Sequence, residues 1–392
     1  MNFILYDGRW REHLLPFTYT RPIGEIRVGI TTIREKWELL LKTRVSFLTQ
    51  EYLQQKYPLV VNDNNIVIES SIIPTEELIK EILALNKDEM LTSYGEVIAV
   101  RCETVGINAN PFEGNYKLVE KEFEYNTIHY PWHIYKLNPE IIQQDFKRIT
   151  EGRKSVTIPE GVFVSGDPDL LFIEEGADVK YAYINTEEGP VYIGKNARVM
   201  EGSKIRGPFA LCNNATVKMG AKIYEGSTVG PWSKVGGEVN NSVIFGYSSK
   251  SHDGYLGNSV IGEWCNLGAD TNTSNLKNTY EDIRVWSFTE QSFINTGEQF
   301  CGLLMGDHSK SGINTMFNTG TVVGVFCNIY GAGYQRNLIP SFSWGGTQGF
   351  KLYHLNKVYK VAEAVMKRRD CVLDETEKNI LAYLHQNTVV RK

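Results

Sequence analysis

The sequence predicts three successive architectures in one chain: an α/β domain over residues 1–150, an all-β coil of short strands over 151–350, and closing helices over 351–392. Three observations carry this. Of 35 glycines, 6 fall in the first segment, 29 in the second and none in the last 42 residues. Aliphatic residues recur every six positions in the second segment, and they return to helical spacing in the third. Compositions this unlike exclude one homogeneous fold, and 392 residues suffice for two or three separately packed units.

In the first segment, Phe3-Ile4-Leu5-Tyr6 is a short apolar strand. After Pro22, the residues Ile26, Ile30, Ile33, Trp37 and Leu40 recur at helical spacing and predict one buried helix face. Ile66-Val67-Ile68 and Val97-Ile98-Ala99-Val100 read as buried strands. Pro74-Thr75-Glu76-Glu77 is a helix start leading into Leu78, Ile79, Ile82 and Leu83. Strands alternating with helices predict an α/β sandwich.

In the second segment, Ile193, Val199, Ile205, Leu211, Val217, Ile223, Val229 and Val235 are eight aliphatic residues at intervals of six. Two positions before them stand Val191, Ala197, Ser203, Phe209, Ala215, Ala221, Ser227 and Ser233, mostly small. This period matches neither the 3.6-residue helix nor the two-residue alternation of a long strand. It matches a short strand and a corner, repeated, with the aliphatic side chain inward and glycine supplying corners of positive φ. Register breaks at Asn240-Asn241 and resumes in pieces, and the stretch from Asn275 to Gly297 drops the repeat, which predicts an excursion on a binding face. Ser341 to Gly346 closes the repeats. Leu352, Leu355, Val358, Tyr359, Ala362 and Met366 then form an amphipathic helix, and Ile380, Leu381 and Leu384 a second, to cover the open end of the coil.

The net charge of 41 − 46 = −5 provides no basic field for a nucleic-acid backbone or an anionic membrane. No run approaches the ~18 apolar residues of a spanning helix, and the start, Met1 to Asp7, reads as a strand rather than a signal peptide. Six cysteines without a CxxC pair fit free thiols in a reducing compartment. The expectation is a cytoplasmic protein acting on small molecules.

The coil also contains Ser251-His252-Asp253-Gly254-Tyr255-Leu256-Gly257, then Cys265-Asn266-Leu267-Gly268-Ala269-Asp270 and Ser274-Asn275-Leu276. With the hexads, this stretch resembles the left-handed parallel β-helix acyltransferases. It is most similar to the bifunctional enzymes that acetylate glucosamine 1-phosphate and uridylylate the product, with matching spacing from Glu238 to Asn275. The resemblance implies a left-handed parallel β-helix, a homotrimer with sites between subunits, acetyl-CoA as donor and an amino-sugar phosphate as acceptor. It makes His252 the general base, a role suited to a side chain that titrates near neutrality. By the same resemblance Tyr255 and Asn266 hydrogen-bond the sugar phosphate, and Ala269 and Asn275 contact coenzyme A. Leu276 stands where the family has a tyrosine, and Asn240 where it has a phosphate-binding lysine, so Lys222, Lys234 or Lys250 would have to supply that charge. Asp307 and His308 fall where the family touches the acyl donor. Two histidines in the coil, His252 and His308, are too few for the three-histidine zinc site of the carbonic anhydrases built on the same coil.

Near the start, Leu14-Leu15-Pro16-Phe17-Thr18 and Arg21-Pro22-Ile23 resemble the sugar-phosphate nucleotidyltransferases. Their glycine-rich loop and paired cations hold a nucleoside triphosphate while a sugar phosphate attacks it. The resemblance implies a nucleotide site at Gly8, Arg9, Arg11, His13 and Arg21, with UTP as substrate and Mg2+ at Glu69. The chain departs from that pattern with His13 for an arginine, Ile23 for a lysine, and Gly8 as the one glycine left in the loop. Three functions compete: acetyl transfer with or without coupled uridylyl transfer, nucleotidyl transfer with the coil used for oligomerisation, and a non-catalytic trimeric scaffold that binds a sugar nucleotide.

Overall fold

A computed structural model describes residues 1–106 and 110–388. The chain divides into two compact units. The first comprises Met1–Leu14, Thr18–Ile26 and Thr31–Tyr130; the second comprises Leu15–Phe17, Arg27–Ile30 and the chain from Pro131 onward.

The first unit is built on a six-stranded mixed sheet. Strand Asn2–Tyr6 pairs in parallel with Ser46–Leu48 on one side and Asn65–Glu69 on the other. Glu96–Cys102 then runs antiparallel between Asn65–Glu69 and Glu89–Ser93, and Lys117–Glu120 forms the far edge. Helix Glu76–Ala84 starts where its sequence predicts, with the Thr75 hydroxyl accepting from the Leu78 N–H at 3.2 Å. The helix expected after Pro22 is shorter than its apolar spacing suggests. It spans Ile33–Leu41, because Thr32 and Glu35 form a reciprocal capping box that fixes the start. Ile26 is buried ahead of that helix, after the 3-10 turn Ile23–Glu25.

The second unit is a three-faced coil of parallel strands. The first face stacks nine strands from Leu171–Ile173 to Leu338–Ile339. The second runs from Asp178–Val179 to Ser343–Gly346, with Gly349–Leu352 turning back antiparallel at its end. The third runs from Phe163–Ser165 to Tyr255–Gly257, and the pair Asn272–Thr273 and Met316–Phe317 follows it in sequence order. All eight predicted aliphatic residues point inward in one continuous core, and the small residues two positions earlier are buried too. One six-residue step therefore corresponds to one face.

Helix Pro131–Thr150 lies along the first face, where Ile142 and Phe146 pack with Ile30, Phe172, Tyr192 and Ala210. Asn138 fastens it: its amide oxygen accepts from Gly29 N at 2.6 Å, and its amide nitrogen donates to Gly226 O at 2.8 Å. Its buried residues Tyr135, Asn138, Ile142 and Phe146 recur at helical spacing, and Pro139 is accommodated within the helix. The excursion is a hairpin of Arg284–Ser287 and Ser292–Asn295, closed at its base by a bridge between Leu276 and Phe300. Helices Leu355–Lys367 and Glu375–Thr388 complete the unit.

At the edge between the first and second faces the chain turns through left-handed residues. Tyr247, Trp264, His308, Phe326 and Phe342 have φ of 54, 61, 61, 53 and 58°. Their rings stack face to face down successive coils, with centroid separations of 4.2, 6.1, 4.3 and 6.0 Å, and His385 meets the last ring edge-on. A left-handed conformation costs a non-glycine residue about 1–2 kcal/mol. Stacking and burial of each aromatic side chain return about that much or more.

Candidate functional site

The predicted acyl-transfer residues fall into two groups on different edges of the coil. His252 is exposed in the turn that joins strand Ser249–Lys250 of the second face to Tyr255–Gly257 of the third. Asn266, also exposed, pairs with Ser249 in the second face. Ala269 occupies the same edge one coil further on, where Asp270 N donates to Asp253 O at 2.9 Å. On the adjoining third face, Asn275 donates to the Tyr255 hydroxyl at 3.0 Å and to Asn258 Oδ1 at 2.8 Å. Asn240 lies opposite Gly257 on that face, within hydrogen-bonding range of Tyr255, whose pKa is raised mainly by burial. His252, Asn266, Ala269, Tyr255, Asn240 and Asn275 thus share one edge and its two flanks. Leu276 adjoins them and serves the base of the hairpin.

Asp307 and His308 sit on the other edge of the second face. His308 is 8% exposed and stacked between Trp264 and Phe326, and Asp307 Oδ1 accepts from Glu263 N at 2.8 Å. His308 is a rung of the aromatic ladder, and Asp307 precedes it in the same turn.

Lys250 is 3% exposed and points into the core, in a column that is otherwise Val199, Val217, Val235 and Leu267. Its Nζ donates to Gly236 O at 2.9 Å and to His252 O at 2.7 Å. Burial pushes its pKa down to about 8. In this position the ammonium ties the His252 turn to the preceding coil.

That preceding corner is a feature the hexads conceal. From Val235 to Val239 the interval is four residues instead of six, and the corner is reduced to Gly236-Gly237. A Cβ on Gly237, whose φ is +68°, would lie 2.8 Å from Asp253 Cα and 3.0 Å from His252 O. Only glycine lets the His252 turn settle on this corner. The paired glycines and the shortened interval are the signal in the sequence.

In the first unit, Gly8 follows strand Asn2–Tyr6 and faces Glu69, whose carboxylate fills the space a Cβ would need. Glu69 is 7% exposed, and burial followed by the neighbouring Asp7 pushes its pKa up to about 8, against the lowering by Ser71 and Arg9. Arg11 is buried against Asp7 at 3.3 Å and donates to the Thr18 carbonyl and to the Tyr52 hydroxyl. Arg21 is likewise buried. Arg9 is exposed, paired with Glu96 and lying over the Trp10 ring. His13 is packed edge-on to Tyr130 and keeps a buried Nδ1 without an acceptor or donor. The five predicted nucleotide contacts therefore do not form one cluster of free cations. Glu69 instead lines a cavity of about 230 Å³ together with Trp10, Ser71, Glu96, Tyr125 and His129. No group of three metal-ligating side chains occurs among the described residues, and Glu69, with Asp7 close by, is the carboxyl that would face a magnesium ion brought in with a nucleotide.

Residues 3–154 match the family model for sugar nucleotidyl transferases. A bifunctional sugar-1-phosphate nucleotidylyltransferase/acetyltransferase of Sulfurisphaera tokodaii is 30% identical over 287 residues, 71% of this chain and 64% of that protein. The bifunctional protein GlmU of Methanococcus aeolicus is 30% identical over 212 residues, 54% of this chain and 44% of that protein. The chain thus spans less than two thirds of the length of these relatives. Among solved structures, a polySia-specific acetyltransferase is similar over 53% of this chain and 97% of that one, at 14% identity and a TM-score of 0.30. No helix among the described residues is long and apolar enough to cross a membrane.

Proposed function

We infer, from the match of residues 3–154 to the sugar nucleotidyl transferase family model and the similarity of the chain to a bifunctional nucleotidylyltransferase/acetyltransferase, that the protein transfers an acetyl group from acetyl-CoA to the amine of a phosphorylated amino sugar. The observation that carries this is the exposed His252 at a coil edge, flanked by Asn266 on one face and by the Tyr255, Asn240 and Asn275 group on the other. His252 accepts the proton of the attacking amine. The amine nitrogen forms the new bond to the acetyl carbon, the carbon–sulfur bond breaks, and His252 returns the proton to the departing thiolate. Tyr255 orients the sugar phosphate, and Asn275, which donates a hydrogen bond to its hydroxyl, contacts coenzyme A. A homotrimer in the cytoplasm belongs to the same reading.

Acetyl-CoA consumption with glucosamine 1-phosphate tests it. His252→Ala should lower kcat by roughly 10²-fold or more, the usual contribution of a general base. An unchanged rate removes His252 from the chemistry.

A second activity at the first unit, uridylyl transfer from UTP, is favoured by the family match over 3–154. Titrating the protein with UTP, with and without Mg2+, should give saturable binding that depends on the cavity around Glu69. Wild-type affinity in a Glu69→Gln, Trp10→Ala variant would move the nucleotide elsewhere.

A further inference from the structure

The hairpin of Arg284–Ser287 and Ser292–Asn295 carries none of the predicted acyl-transfer residues, yet it borders a cavity of its own. Ile283 and Val285 are buried. The strand is seated on the coil at Gly320, whose φ is +63° and where a Cβ would lie 2.6 Å from Arg284 O and 2.7 Å from Ile283 Cγ2. Alternation along the strand then turns Arg284 and Trp286 to the opposite side. There the hairpin and the coil corners at Thr319 and Asn337 line a cavity of about 470 Å³, within the ~300–1,000 Å³ typical of small-molecule sites. Those corners lead into strands of the first face, whereas His252 sits where the second face joins the third.

The wall of this cavity has an aromatic side and a cationic side. Trp286 and Phe293, paired across the hairpin, are half-buried rings set edge to face with centroids 5.4 Å apart. Lys277 is engaged within the loop: its Nζ donates to Asp282 O at 2.7 Å and lies 3.8 Å from a Glu281 carboxylate oxygen. Arg284 is different. Its guanidinium donates to Phe293 O and has no carboxylate partner among the described residues, so most of its five N–H donors stay open. No acidic side chain among the described residues lines the cavity. Asn337 Nδ2 donates to Thr319 O at 2.7 Å, which leaves the amide oxygen as an acceptor, and Ser292 and Thr319 add hydroxyls.

We propose that this cavity is a binding site for a nucleotide, separate from the acetyl-transfer site. The base packs against the Trp286 and Phe293 rings, its polar edge meets the Asn337 amide oxygen, and the phosphate takes the open donors of Arg284. A planar heteroaromatic ring bearing a phosphate uses both sides of the wall, because stacking on aromatic side chains suits any base and a guanidinium matches phosphate oxygens in pairs. A simple anion would leave the rings uncovered, and an uncharged aromatic would leave the guanidinium unmatched. No residue of the His252 edge lines the cavity, so its occupant leaves that edge open. The site therefore stands whether or not the chain transfers acetyl groups.

Calorimetric titration of the full chain with UDP tests the site, in wild type and in a Glu69→Gln, Trp10→Ala background that removes the cavity of the first unit from the signal. The background should bind UDP at one site per chain. Adding Arg284→Gln and Trp286→Ser should weaken that binding about fiftyfold or more, the combined worth of a charge-assisted hydrogen bond and a stacked base. The conservative pair Arg284→Lys and Trp286→Phe should keep affinity within about tenfold, which separates a lost site from a lost hairpin. No binding in the background, or equal affinity after the glutamine and serine substitutions, overturns the proposal. Inorganic pyrophosphate should bind about tenfold more weakly than UDP, or worse, for want of a stacked base. Equal affinity would reduce the cavity to an anion site and overturn the nucleotide. Saturating acetyl-CoA should leave UDP binding unchanged; displacement of UDP would assign the cavity to the acyl donor and overturn a separate site. His252→Ala should bind UDP like wild type, so failure of the acetyl-transfer reading leaves this result intact.

Discussion

Lys250 stands in a column of valines and leucine, and its charge there has a consequence that can be measured. With a folded-state pKa near 8 against about 10.4 unfolded, the unfolded chain binds more protons between those values. Stability relative to a variant lacking the lysine should therefore rise with pH across that window and be flat below 8. Urea melts of wild type and Lys250→Met at pH 7.5 and 9.5 check the sign: the difference should shift toward wild type at the higher pH. A shift toward the variant would mean that the two carbonyl contacts, to Gly236 and His252, outweigh desolvation. His252 and Asn266 were singled out by the resemblance of their motif to the acyltransferases, and the structure places both exposed at one edge of the coil. The six-residue interval already marks Lys250 as inward, midway between Ile244 and Leu256, whereas Lys234 precedes the inward Val235 and points outward. Glu69 was legible as a position at the end of a strand, but not as a carboxyl sealed against Gly8.

At the level of elements, the hexads were fully legible because each six-residue step buries one aliphatic side chain on one face. The aromatic ladder was not. Its members recur only once per coil, and the hairpin of residues 277–299 separates Trp264 from His308 in sequence while leaving them stacked in space. Helix Pro131–Thr150, which the reading of the first segment passed over, draws its stability from the first face rather than from local propensity. The ladder also supports the carboxyl-terminal helices, since Phe342 holds His385. Phe326, 1% exposed and stacked on both sides, lies between His308 and Phe342. Phe326→Ala should cost about 3–5 kcal/mol in chemical denaturation, as truncation of a buried phenylalanine does. A loss below about 1 kcal/mol would show that the stack is ornament on an independently stable coil.

Each coil touches chiefly its neighbours, and local geometry is therefore set coil by coil. This gives the paired glycines at 236 and 237 their larger meaning. A stack of equal perimeters makes a column with straight corners, whereas two missing residues withdraw roughly 7 Å of contour from a single storey. The edge is then stepped, and the turn above lowers its backbone onto the step while its histidine stays at the rim. A molecule laid along that edge meets a terrace with His252 at its lip.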